Sequence, residues 1–277
     1  MTERTLAADA PGPSVATVAD AGSRSPLPLS CYIRTLNEEA WIGAVVRAAR
    51  HIADDVIVVD SGSTDRTVEA ATAAGATVVP QPWLGNGHQK RKGEDHCRHD
   101  WLLDLDADEI LSDTLIAEIR ALFAGGTPAN PVYAVPLVMV PPDGQPWYRF
   151  GRAWRNKLYD RRVLRMPAHK AWDQLELPNG IKAQRLQNPL LHHWYRGFEH
   201  MMAKLNRVSS VRAREVKRKS RPYLLLRIWA GFPVYFFKKY IQQGYILGGT
   251  FGFTSAVAIA YARWMRDVKM WEMKDRP

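Results

Sequence analysis

Cysteine is scarce in this chain, with Cys31 and Cys97 the two among 277 residues. Neither fits a zinc or redox spacing, and both fall inside expected regular elements. A disulfide-stapled fold is thereby excluded, and a reducing, cytosolic compartment is favoured. Residues 1–28 offer no basic stretch ahead of an apolar one, so they do not read as a secretory signal. Rich in Ala, Pro, Ser, Gly and Thr without periodicity, they are expected to form a disordered leader.

Acidic side chains are almost missing between Arg196 and Tyr240, where 12 Lys and Arg are opposed only by Glu199 and Glu215. This one segment carries a charge equal to the net +10 of the whole chain. An anionic partner therefore meets one region rather than the whole surface. From Tyr240 to Ala262 charge of either sign is missing over 23 positions, flanked by Lys238, Lys239 and Arg263. The length suits a membrane span, but Gln242, Gln243, Gly244, Gly248, Gly249 and Gly252 dilute the run. A re-entrant or interfacial helix pair is expected there, with a buried soluble helix as the alternative.

What is present is an ordinary globular composition, 46% hydrophobic and 24% charged. It suffices for one large domain, or a domain with an appendage. Leu29 to Leu36 reads as a strand, followed by Asn37 as a helix N-cap with Glu38 and Glu39 in the first turn. Ile42, Val45, Val46 and Ala49 mark one face of that helix. Strands are also expected at Asp55 to Asp60, Ala76 to Pro80 and Trp101 to Asp106. The intervening helices end at Gly75 and near His99, and a further helix is capped by Ser112. Strand and helix alternate, and the strands are near-continuous apolar runs, which indicates a parallel α/β sheet covered on both faces. Ligands bind such sheets beyond the carboxyl ends of the strands. The polar clusters at Arg34 to Glu39, Asp60 to Asp65 and Asp106 to Glu109 all fall there.

The last cluster closes the run Trp101-Leu102-Leu103-Asp104-Leu105-Asp106-Ala107-Asp108-Glu109. Ionised acids at the end of a buried strand need water or a cation. Asp106 and Asp108 are two apart and point the same way on an extended segment. Converging carboxylates with positions left open suit Mg²⁺ or Mn²⁺ held to a phosphate-bearing substrate. Taken alone, Asp-x-Asp is a weak signal better read as a solvated turn; its alignment with the other two clusters favours the metal.

These motifs, in this order, resemble the family 2 glycosyltransferases of the GT-A fold, in particular the bacterial enzymes that elaborate lipopolysaccharide core and other lipid-linked glycans. The resemblance spans roughly residues 29–271. It rests on Thr35-Leu36-Asn37-Glu38-Glu39, Val58 to Asp65, Trp83 to Lys90, Leu105 to Glu109, Trp172 to Glu176 and Leu190-Leu191-His192. It implies a Rossmann-like nucleotide-sugar-binding sheet over 29–195 and a basic, aromatic, membrane-associating helical extension over 196–277. It implies that Arg34 and Glu38 line the pocket for the nucleotide base and ribose, with Asp60 accepting hydrogen bonds from one of them. Lys90 would sit near the donor phosphates as a point charge. Asp106 and Asp108 would be the metal pair, Asp106 also touching the donor, with His192 completing the shell around Mg²⁺ or Mn²⁺. For Asp60 a loop-capping acid, for Lys90 a solvated helix lysine and for His192 a plain structural histidine remain the alternatives.

Many relatives carry a His-Glu pair where this chain reads Trp172-Asp173. Inversion at an anomeric carbon needs a carboxylate to take the acceptor hydroxyl proton, so Asp173 is the expected general base and Glu176 the weaker candidate. Trp172 would stack on a sugar or fill the core, and Trp147, Tyr148 and Trp154 would shape the acceptor side or pack internally. The expected partners are a nucleotide-sugar donor, most simply a UDP-hexose, and a lipid-linked or lipopolysaccharide-type acceptor. An anionic membrane surface would be met by residues 196–262, with Tyr223, Trp229, Tyr235, Phe236, Phe237 and Tyr240 at the headgroups. The expected place is the cytoplasmic face of a bacterial inner membrane. Two other readings are open: transfer to a polyprenyl phosphate, and a basic nucleic-acid-binding protein. The second leaves the three carboxylate clusters without a purpose, so no nucleic acid is expected.

Overall fold

The computed structural model describes residues 27–142, 144–150, 152–170, 172–216 and 219–273. The expected leader lies outside the described residues except for Leu27 and Pro28, which open the first strand, and Lys217 and Arg218 of the basic segment also lie outside. Four apolar runs form parallel neighbours in the order β3 (Thr77–Pro80), β2 (Ala53–Asp60), β1 (Leu27–Thr35), β4 (Trp101–Asp106). Their connections are α1 (Ile42–Arg50), α2 (Thr67–Ala73) and α3 (Asn86–His96). The four apolar positions expected on α1 are all buried, and Gly75 ends α2 at φ +94°, a conformation glycine adopts without strain. Ser112 caps α4 (Asp113–Phe123) by accepting the Leu115 N–H, and Leu115, Ile119 and Phe123 of that helix enter the main core.

Two expectations are corrected. Asn37 is no N-cap: the helix starts at Ile42, and Asn37 stands at φ +55°. Its Oδ1 accepts the Thr64 N–H at 2.8 Å while its own N–H donates to Ser63 Oγ at 2.9 Å. The residue ties together the loops that follow β1 and β2. Asparagine suits this place because its short amide hydrogen-bonds locally and tolerates the left-handed region. The sheet, moreover, is mixed. Beyond β4 come β7 (Ala153–Asp160), antiparallel to it, then β6 (Val132–Met139), β9 (Leu190–His192) and β5 (Glu109–Leu111), with β8 (Gln184–Arg185) pairing β6. The β6–β7 and β5–β9 pairs are antiparallel too. Only the second half of β7 is buried, so its sequence carries no continuous apolar run to announce a strand.

The C-terminal part is helical: α5 (Phe198–Glu215), α6 (Arg221–Phe237) and α7 (Gly249–Glu272). The uncharged run is not one helix. A π-helical turn at Lys238–Gln242 and a 3-10 turn at Tyr245–Gly248 divide it, with Gly244 at φ +75° and Gly249 at φ +55°. The segment Tyr245–Glu272 is long and apolar enough to cross a membrane by length and composition, and 39% of its most apolar window is buried within the protein. Asp267 on α7 is fully buried among cations, with Arg227 Nη2 and Arg266 Nη2 each at 2.9 Å and Tyr235 Oη at 3.0 Å. The helices dock on the sheet through Trp147, which stacks on Phe150 and meets the edge of Tyr245 at 5.3 Å. Trp147 is therefore core, not acceptor wall.

Candidate active site

Arg34 and Asp106 are lateral neighbours at the carboxyl ends of β1 and β4. Parallel pairing thus brings the guanidinium Nε within 2.8 Å of Asp106 Oδ1. The other arm of the fork, Nη2, reaches Asp173 Oδ2 at 2.9 Å. Asp104 lies two residues before Asp106 and shares its side of the strand. Lys90 from α3 donates to Asp104 Oδ2 at 2.8 Å and stands 3.4 Å from Asp106 Oδ1. Lys157 from β7 donates to Glu109 Oε2 at 2.6 Å, and that oxygen also accepts the Asp106 backbone N–H at 2.9 Å. Ions buried this deeply persist because they are paired and hydrogen-bonded. Burial raises the Glu109 acid above its ordinary value, with Lys157 opposing. Burial works against ionised Asp106 too, but Arg34, Lys90 and Lys157 hold it well below the usual carboxylate range.

The β5–β9 pairing sets Glu109 opposite His192 and so carries His192 to Asp108. His192 Nε2 is 3.5 Å from Asp108 Oδ1, and Lys204 Nζ from α5 is 2.8 Å from Asp108 Oδ2. Burial pulls the His192 imidazole down, but the Asp108 carboxylate carries it above its ordinary value. Desolvation likewise opposes ionised Asp108, yet His192 and Lys204 hold it well below the usual range. His193 turns the other way and stacks on Trp41, with ring centroids 4.2 Å apart.

The loop that bears Asp173 is fixed by the start of α3. The backbone N–H groups of Asn86 and Gly87 donate to the carbonyls of Lys170 and His169 at 2.9 and 3.0 Å. A Cβ on Gly87 would stand 2.3 Å from the Pro167 carbonyl oxygen and 2.4 Å from that of Trp172, so no other residue fits. A cavity of about 230 Å³ results, lined among others by Lys90, Asp106, Trp154, Lys157, Asp173 and His192.

Lys90, Asp106, Asp173 and His192 thus line one cavity, and Arg34 stands behind it, paired with Asp106 and Asp173. Asp108 and Glu38 belong to an adjoining charged cluster with Lys204 and Arg196, whose Nη2 is 3.9 Å from Glu38 Oε2. Asp60 is engaged by its own loop, accepting the N–H groups of Gly62 and Ser63 and the Ser63 hydroxyl. Glu176 is exposed. Sequence reasoning passed over Asp104, Glu109, Lys157 and Lys204. Asp104 was detectable as a charge inside an apolar strand, whereas Lys204 was one cation among twelve in its segment.

Asp108 and His192 offer hard oxygen and nitrogen donors, and two donors on one octahedral ion at 2.0–2.1 Å lie about 3 Å apart. Their 3.5 Å separation is close to that, so this pair fits a divalent ion after a small closure. Among the described residues no ready group of three such ligands is assembled. Asp106 is turned onto Arg34 and Lys90 instead.

A sheet of this order, with acidic side chains at the carboxyl ends of its parallel strands, has the GT-A-like form. The chain belongs to glycosyl transferase family 2, whose family model matches residues 30–184. It is 31% identical over 256 residues to an uncharacterized glycosyltransferase of Rickettsia bellii, covering 88% of this chain and 86% of the relative. It is 28% identical to the lipopolysaccharide core biosynthesis glycosyltransferase LpsC of Rhizobium meliloti, covering 91% of this chain and 96% of that one. Glucosyl-3-phosphoglycerate synthase from Mycobacterium tuberculosis, solved with Mn²⁺, UDP and glucosyl-3-phosphoglycerate, aligns at 26% identity with a TM-score of 0.32. That likeness covers 41% of this chain and 43% of the other, under half of its length.

Proposed function

We propose that this glycosyltransferase moves a hexose-type sugar, with inversion, from a nucleotide diphosphate such as UDP to a hydroxyl on a lipid-linked or lipopolysaccharide-like acceptor. The observation that carries the reading is the Arg34 fork, which joins Asp106 at the strand end to Asp173 across one cavity. Asp173 takes the proton of the acceptor hydroxyl as that oxygen attacks the anomeric carbon. Arg34 orients Asp173 through Nη2 and is assigned to the donor side of the site. Lys90 sets positive charge beside the strand end, where the donor phosphates would lie. Asp108 and His192, joined by Asp106, would hold Mg²⁺ or Mn²⁺, and the ion supplies positive charge to the departing diphosphate. Glu38 is assigned to the donor side, and Asp60 acts there by shaping its loop.

The acceptor class is supported by likeness to the LpsC glycosyltransferase and by an apolar, basic flank. Leu226, Trp229, Val234, Phe237, Ile241 and Leu247 are exposed there, Trp229 at 84%, with Lys238 among them. Such a surface suits attachment to an anionic leaflet, on the cytoplasmic face of a bacterial inner membrane, with residues 29–195 as the catalytic part and 196–277 as the attaching part. The test is a thermal-shift screen of nucleotide sugars with and without Mn²⁺, followed by Asp173→Asn. Donor stabilisation is expected to survive the substitution while turnover falls by about 10²–10⁴-fold. Normal turnover in Asp173→Asn would remove the base and point to an acceptor already anionic, a polyprenyl phosphate. No stabilisation by any nucleotide sugar would overturn the reading.

A further inference from the structure

Asp108 is 5% exposed, and its two carboxylate oxygens are divided between His192 and the ammonium of Lys204. The ammonium is held from a second direction, donating to the Trp194 carbonyl at 2.9 Å. Lys204 comes from α5, beyond the residues 30–184 that match the family. We infer that Lys204 is a resident counter-ion at the cation position of Asp108, one that a divalent metal must displace before it can bind. The inference rests on the metal reading above and adds to it a residue from the helical part of the chain.

The physical argument is one of charge and space. A buried carboxylate needs a cationic partner, and Lys204 provides one. A divalent ion between Asp108 and His192 would stand next to the ammonium, and like charges at that range repel. Both cannot keep their places. Lysine suits an exchangeable role, because its charge sits on a flexible four-carbon stem rather than a rigid fork. Arg196, four residues after the end of β9 and just before α5, faces Glu38 in the same cluster, so another cation remains near the acids when Lys204 withdraws.

The experiment is Mn²⁺ binding to the full chain without nucleotide, followed by the loss of the free-ion electron paramagnetic resonance signal. Lys204→Met, similar in length but uncharged, is expected to bind Mn²⁺ at least about tenfold more tightly than wild type, and Lys204→Arg to stay near wild type. Lys204→Met binding no better than wild type overturns the inference. A second measurement needs no variant: Mn²⁺ is expected to raise acetylation of Lys204 in the wild type, read by peptide mass spectrometry. Unchanged labelling at saturating Mn²⁺ also overturns it. Absence of Mn²⁺ uptake by the wild type even with UDP would overturn the metal reading itself, a result separate from the comparison of variants.

Discussion

Glu38 faces Asp108 from a half-buried position, and burial, then that neighbouring carboxylate, raise its acid from 4.5 to about 7. The folded protein therefore binds this proton more tightly than the unfolded chain does. Between pH 4.5 and about 7 the native state carries the extra proton, so stability declines as pH rises through that window. The size of the effect is of order 2–3 kcal/mol. Glu38→Gln, a permanent stand-in for the protonated acid, is expected to flatten the profile of unfolding free energy between pH 5 and 7. A slope equal to that of the wild type would refute the assignment. At this scale the sequence was legible where a charge interrupted an apolar run, as at Asp106 and Asp108. It was silent where the partner came from far along the chain: Lys157 meets Glu109 across 48 residues and Lys204 meets Asp108 across 96. Asp60 is the opposite case, since the loop-capping alternative open to its motif describes how the loop uses both carboxylate oxygens.

Among the elements, α3 has the most demanding start, because it packs edge-on against the strand of backbone that leads to Asp173. Gly87→Ala places a methyl within 2.4 Å of two carbonyl oxygens, and backbone, unlike a flexible side chain, gives way only by moving the loop. A loss of about 1–3 kcal/mol is expected, seen as a fall of about 2–4 °C in Tm for each kcal/mol. Turnover should fall further than donor-induced stabilisation if the displaced segment holds the base, as proposed for Asp173. Equal losses in both would argue against that placement. The first four strands and their helices could be read from apolar runs, caps and glycines, since each is a local pattern. Of the remaining strands, β6 is an apolar run too, but the others could not be read. Strands β5, β8 and β9 have two or three residues each, too few for a period, and β7 is polar at its start. Their pairing is set by tertiary packing, which is why the parallel strands up to Asp106 could be read and the antiparallel pairs beyond them could not.

Across the whole molecule, the apolar and basic flank of the C-terminal helices stands apart from the cavity residues. Leu226 and Trp229 are exposed, so replacing both by Ser should change stability by no more than about 0.5 kcal/mol. The double variant is expected to lose co-sedimentation with anionic vesicles that the wild type shows at low salt, and wild-type binding should weaken as salt rises. Equal sedimentation of the two proteins would sink the membrane reading, and tighter binding to nucleic acid than to vesicles at matched salt would favour the rival. The boundary expected after Tyr195 rested on charge, which gives no sign of the contacts that cross it, such as Trp147 with Tyr245 and Lys204 with Asp108. The three cations that steady Asp106 stand on regular elements, Arg34 on β1, Lys90 on α3 and Lys157 on β7. Loops diverge more readily than the scaffold that carries them. Charge at the cavity is therefore inherited with the scaffold, while the loops around it are free to change shape and, on the proposed function, which sugar and which acceptor are admitted.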